Sequence, residues 1–310
     1  MNRYYLKRVV SALITIFLIA SITFFMMKAI PGGPFSRERQ LPPQIIAALN
    51  EKYKLDQPLI VQYGDYMWGL LTFNLGPSFR KLGFTVNDLM IAGFPVSARV
   101  GLLATIFIIA LGIPLGIISA LKQNRWPDYV VMVVATLGVT IPSFVVATVY
   151  IYFFAGRWRL VPAFGLETPL SYIGPMIALS GYSLSFVARL TRSSMLEVLR
   201  QDYIRTARAS GLSHFKILYK YALKNALIPV ITYVGPMIAA ILTGSFVVER
   251  IFGIPGIGQL YVTAVNNRDY TVIMGTTVFF AVFYVIMVLL VDIAYTLVDP
   301  RIRFGKKYGD

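Results

Sequence analysis

The chain of 310 residues has one histidine, His214, and no cysteine. His214 lies in a polar, basic loop, so no catalytic triad or His-based metal site can be assembled, and thiolate ligands and thiol catalysis are excluded. A Gly-x-x-x-x-Gly-Lys-Ser/Thr phosphate loop is also absent, so ATP is not bound here by that device. These absences argue against an enzyme. The stretch 202–212 offers docking instead. Asp202 is a candidate N-cap, 203–210 a short helix, and Gly211 a C′ residue able to turn left-handed. Ser213 can cap a second helix, on which Phe215, Leu218 and Ala222 share a face with Ile217 and Tyr221 beside it. The first helix is expected to expose Thr206, Ala207, Ala209 and Ser210, small residues that let another surface approach the backbone, flanked by Arg205 and Arg208. Such a helix could meet a protein partner or rest on anionic lipid as a basic amphipathic helix.

The elements that position this stretch belong to a membrane. Apolar residues make up 57% of the chain and charged residues 14%, with a mean hydropathy of +0.68, outside the soluble range. A net charge of +15 would suggest nucleic acid in a soluble protein, but here it follows from basic loops beside membrane helices. Crossing a hydrocarbon core takes about 20 apolar residues, and six stretches qualify: 9–30, 97–121, 129–155, 171–190, 226–248 and 271–297. The first runs too long for a signal peptide and ends Lys28-Ala29-Ile30-Pro31 without a small-residue cleavage pattern, so it is expected to be retained.

With the N-terminus inside, the inner segments carry Arg3, Lys7 and Arg8, then Lys122 and Arg125, eight cations over 189–224, and Arg301, Arg303, Lys306 and Lys307, the majority of the 29 Lys and Arg. Both termini are then cytoplasmic. Residues 31–95 form a polar outer segment with a short helix over 43–53, too small for a core of its own and expected to pack as a plug or collar on the outer face. Gly112 and Pro114, Gly138 and Pro142, Gly174, Pro175 and Gly181, and Gly235 and Pro236 interrupt the spans, as ordinary kinks and close packing or as bends that let a bundle open. Apart from Lys28, Arg99, Arg189 and Asp292 near helix ends, the spans contain no ionisable group of the kind that ion-coupled carriers hold near the midplane. Asp292 is expected to bond backbone or a loop cation. The Gly-rich stretch after Glu249 and Arg250 reads as a re-entrant turn or as a ligand-contacting lip.

Arg205-Thr206-Ala207-x-x-x-Gly211 resembles the Glu-Ala-Ala-x-x-x-Gly loop of binding-protein-dependent ABC importer permeases. Arg205 and Thr206 replace Glu and Ala, and Lys224 stands where a Pro often follows. The run Asp202-Tyr203-Ile204-Arg205-Thr206-Ala207-Arg208-Ala209-x-Gly211-Leu212 is similar to the version found in oligopeptide and dipeptide permeases. Asn2-Arg3-Tyr4 through Pro31-Gly32 resembles the family's start. Phe252-Gly253-Ile254-Pro255-Gly256-Ile257-Gly258 with Arg268-Asp269-Tyr270 resembles its last outer loop, and Asp299-Pro300-Arg301 its end. Pro31-Gly32-Gly33-Pro34-Phe35 is nearer oligopeptide members.

The resemblance implies an all-α membrane protein of the type I ABC importer (MetI-like) fold. It comprises a first helix over 1–30, an extracytoplasmic segment over 31–95, a five-helix core over 96–298 with a coupling loop at 191–224, and a tail at 299–310. It further implies a non-catalytic permease subunit of a bacterial or archaeal plasma membrane that imports oligopeptides with a second homologous permease, two ATPase subunits and an extracytoplasmic peptide-binding protein. No cofactor is implied for this chain, since ATP and Mg belong to the ATPases. Tyr203, Arg205, Thr206, Ala207, Arg208, Ala209, Ser210, Gly211 and Leu212 would then form the ATPase-coupling surface.

Overall fold

A computed structural model describes residues 2–31, 33–35 and 43–298, excepting the side chains of 2–6, 43, 46 and 292–298. Gly32, the Asp292 side chain, Asp299-Pro300-Arg301 and the tail therefore lie outside the described residues. The described chain is helical, in chain order α1 (Asn2–Ala29), α2 (Pro43–Lys52), α3 (Leu59–Leu71), α4 (Val86–Leu121), α5 (Trp126–Thr140), α6 (Ser143–Tyr150), α7 (Ile173–Leu199), α8 (Asp202–Ala209), α9 (His214–Lys216), α10 (Leu223–Ala226), α11 (Ile228–Leu242), α12 (Phe246–Ile251), α13 (Ile257–Asn267) and α14 (Tyr270–Val298). α6 continues as π-helical turns over Ile151–Arg157, and π-helical turns over Ile217–Ala222 join α9 to α10. In lipid a backbone group must find its partner within the protein, and this continuous helix supplies one.

Among the described residues, five helical segments are long and apolar enough to cross a membrane, Lys7–Ala29, Val86–Leu121, Pro169–Leu199, Ile228–Ile251 and Tyr270–Val291, and a bent pair makes a sixth if it is one span. The expected third span, 129–155, is not one helix. It breaks after Thr140, and Ser143–Arg157 turns away from Trp126–Thr140 by 101°. Pro142 lacks the N–H that would continue the ladder. Both halves pack on α7, and α6 also meets α12, so tertiary contacts hold the second half at this angle. The second span starts at Val86, eleven residues earlier than expected, because the Thr85–Asp88 capping box starts the helix and Pro95 is accommodated within it.

The core forms where α4, α7 and α11 meet, with Ala104, Ile108, Val187, Val230 and Met237 buried together. Small residues bring α4 and α7 close: a Cβ on Gly116 would stand 2.5 Å from the Ala188 carbonyl oxygen and from Thr191 Cβ. α8 to α10 occupy one end of this bundle, here termed the loop end. At the opposite end, α12 and α13 fold back beside α4.

Glu249 organises that far end. Its carboxylate accepts from Ser97 Oγ at 2.6 Å and from the Gln259 amide at 2.8 Å, while Ser97 Oγ accepts from the Ile257 amide at 2.9 Å. Phe252, Ile254 and Ile257 are buried, so the Gly-rich stretch is a turn folded into the protein. Asp269 forms a second hub, accepting from the Ser78 hydroxyl, the Phe79 amide at 3.1 Å and Thr271 Oγ1 at 3.0 Å. It fastens the segment before α4 to the start of α14. The expected helix over 43–53 is present as α2, whereas α3 had no counterpart in the sequence reading.

Candidate coupling surface

α7 descends to Leu199, and two residues later the chain turns into α8. Its N-cap is Gln201, without a side-chain cap bond, and not Asp202. Asp202 lies in the first turn, where its carboxylate complements the helix dipole and meets Arg205 Nη1 at 3.3 Å. Both side chains are largely solvated, so the pair contributes little.

The helix divides by face. Ile204 is fully buried and Ala207 is 7% exposed, against Ala120 of α4, Met195 of α7, Ile217, Ala222 and Ala226. Ala207 therefore belongs to the packed face and not to the expected exposed set. Three residues separate it from Ile204, which places both on one side of the helix. Arg205, Thr206, Arg208, Ala209, Ser210 and Tyr203 face outward. Thr206 Oγ1 donates to the Asp202 carbonyl and Ser210 Oγ to the Thr206 carbonyl, each at 3.0 Å. Those hydroxyls are turned onto the helix itself, leaving the outer surface small and shallow. Tyr203 Oη accepts from Asn225 Nδ2 at 2.8 Å, which ties α8 to α10.

The C-terminus of α8 closes in a Schellman motif. The Leu212 amide donates to the Ala207 carbonyl at 3.3 Å and the Gly211 amide to Arg208 at 3.0 Å. Gly211 sits at φ +73°, with nothing within 4 Å of a would-be Cβ. Its requirement is conformational and not steric. Leu212 completes the motif by packing, half-buried, on the cluster that contains Ala207. Ser213 caps the next helix as expected, accepting from the Lys216 amide at 3.4 Å. The expected face of that helix is corrected at one position. Phe215 is 68% exposed, against Tyr219 at 4.3 Å, while Ile217, Leu218, Tyr221 and Ala222 pack inward. The π-helical turns that begin at Ile217 rotate the following side chains away from the 3.6-residue period.

An ion pair between a partly exposed arginine and a buried aspartate backs this assembly. Arg192 on α7 donates from Nε to Asp128 Oδ1 at 2.6 Å and from Nη2 to Oδ2 at 2.8 Å. The Ser119 hydroxyl and the Asn124 amide, the latter at 2.9 Å, also donate to this carboxylate. One side chain thus joins α4, the α4–α5 turn, α5 and α7 beside the root of α8. Sequence reasoning missed it by treating Arg192 as a loop cation. The available signal was Asp128 in the first turn after Pro127, where a carboxylate is favoured.

Among the described residues, no three His, Asp or Glu side chains cluster as metal ligands would.

Comparison with known proteins gives this arrangement a family. Residues 112–304 match the family model for binding-protein-dependent transport system inner membrane components, and residues 1–87 match the N-terminal model of the same membrane components. The dipeptide transport system permease protein DppB of Bacillus subtilis is 50% identical over 307 residues, covering 99% of this chain and all of the relative. The oligopeptide transport system permease protein OppB of Salmonella typhimurium is 44% identical over 307 residues, covering 98% and 100%. Among solved structures, an inward-facing MetNI methionine ABC transporter superposes with a TM-score of 0.53 at 20% identity, over 68% of this chain and 94% of the other. That likeness bears on the fold alone. This chain belongs to the family of binding-protein-dependent transport system inner membrane components and has the all-α membrane fold of ABC importer permeases.

Proposed function

We propose that this chain is one of two permease subunits that together pass peptides inward across a plasma membrane, with α8 as the element through which partner ATPases drive it. Peptides are the cargo named for the relatives at 50% and 44% identity that span the whole chain. The loop end is then cytoplasmic, as are both termini, in keeping with the eight cations over 189–224. The observation that carries the coupling role is the division of α8. Its outer face presents Arg205, Arg208 and small residues, while Ile204 and Ala207 are fixed into the base of α4 and α7. A push on the outer face therefore reaches the spanning helices without an intervening flexible link. Two ATPase subunits would close on ATP, draw the coupling helices of both permeases together and open the path to an external binding protein. Hydrolysis would reset it. Such coupling needs an element with two arrangements that both sites bias, and the paired bundles supply it.

The test is reconstitution. Purified alone in liposomes, the chain should neither hydrolyse ATP nor take up labelled peptide. Co-expression with a second permease, two ATPases and the binding protein should restore both. Robust uptake by the chain alone would make it a solitary carrier.

A further inference from the structure

α3 has thirteen residues, Leu59–Leu71, and none of them is buried. An isolated helix of that length is marginal in water and depends on burying a face. Here Ile60, Gly64, Trp68 and Leu71 fall on one exposed side, with Ile60 73%, Trp68 68% and Leu71 72% exposed, and Phe73 follows at 83%. The other side reaches α1 through long side chains. Tyr63 Oη bonds Ser21 Oγ at 2.7 Å, the Tyr63 ring stacks on Phe25 at 5.3 Å, and Tyr66 stacks on Phe24 at 5.4 Å.

Depth follows from α1. The apolar run of that spanning helix ends at Lys28, and Ser21 lies seven residues before it, about 10 Å down the axis. The aromatic contacts of α3 therefore reach below the end of the apolar run. The exposed apolar side of α1, formed by Phe17, Ile22, Phe25 and Met26, reaches α3 where Phe25 stacks on Tyr63, and in a spanning helix such a side meets acyl chains. Behind α3, a cavity of about 520 Å3 opens between α1, α2 and α14, bordered by Lys28, Lys52, Lys54, Gln62, Tyr66 and Tyr270. Lys54 is paired with Asp65 at 3.0 Å and Lys28 with Gln62, so cations outnumber carboxylates there. The hydroxyls of Tyr66 and Tyr270 are sealed into its wall, without a partner among the described residues.

We propose that α3 is an interfacial helix lying in one leaflet, with its Ile60–Trp68–Leu71 side on the acyl chains and an anionic phospholipid seated behind it. The lipid phosphate lies among the three lysines, while its chains run along α1. Continuity with the lipid-facing side of α1 and the positive cleft favour lipid over a protein partner.

Two measurements on the full-length chain test this. In a Trp126→Phe/Trp158→Phe background reconstituted into vesicles, Trp68 should lose most of its emission to lipids brominated on the acyl chain and little to acrylamide. Quenching by acrylamide alone, or by neither, overturns the interfacial helix in favour of water or of a protein cover. Native mass spectrometry in detergent should show phosphatidylglycerol retained over phosphatidylcholine. Lys52→Gln should weaken that retention about fivefold, with Trp68 quenching unchanged as evidence that α3 is still placed. Retention indifferent to that substitution, or abolished by inorganic phosphate alone, overturns the lipid site.

Discussion

At the scale of single residues, Gly211 matters most, because it stands in the left-handed region and joins α8 to α9. A β-branched side chain there costs about 1–3 kcal/mol through backbone conformation alone, since nothing lies within 4 Å of the new Cβ. That is small against the burial of the spanning helices but large for a docking element whose position must be held closely. Gly211→Val is expected to abolish peptide uptake and co-purification of ATPases at unchanged membrane abundance. Gly211→Asn, which tolerates the left-handed region, should retain most uptake. Equal uptake in the two variants would remove the coupling role from this turn. The left-handed glycine and the Ser213 cap were legible in the sequence, because both follow from local chemistry. The exposure of Phe215 and the burial of Ala207 were not, since a π-helical turn and the packing of α8 on α4 and α7 leave no local trace.

Elements are held together at the loop end by Asp128. It brings four segments to one carboxylate, and Asp128→Ala leaves the Arg192 guanidinium without its partner. Arg192 is partly exposed, so removing its partner costs about 1–3 kcal/mol. The variant should unfold at a lower temperature in detergent, followed by tryptophan fluorescence. A Tm equal to that of the parent would mean that Arg192 finds water or another acceptor at no cost. The break at Pro142 shows what sequence leaves open at this scale. Pro142 and Gly138 mark an interruption, yet the 101° turn is set by contacts with α7 and α12 that lie distant in the chain. α3 escaped notice for a related reason. Its face is satisfied by neither the protein core nor a span-length apolar run, so neither criterion finds it.

For the whole molecule, the pattern of cations and apolar runs made a multi-spanning bundle legible before any coordinate, because the bilayer imposes length and orientation on every span. Reporters fused near Gln123, Ser210 and Lys306 should read cytoplasmic, and those near Asn50, Glu167 and Asn267 external. Opposite readings in either set would reverse the bundle and move α8 away from any ATPase. The central claim is that α8 touches that ATPase, and the absence of cysteine from the chain permits a direct measurement. A single Ala209→Cys on the outer face of α8, paired with single cysteines around the expected cleft of the ATPase subunit, should form a disulfide cross-link in native membranes upon mild oxidation. The extent of cross-linking should change when ATP is added, while Thr136→Cys on α5 should give none. Failure of every α8 cysteine to cross-link in a complex that still transports peptide would contradict the account.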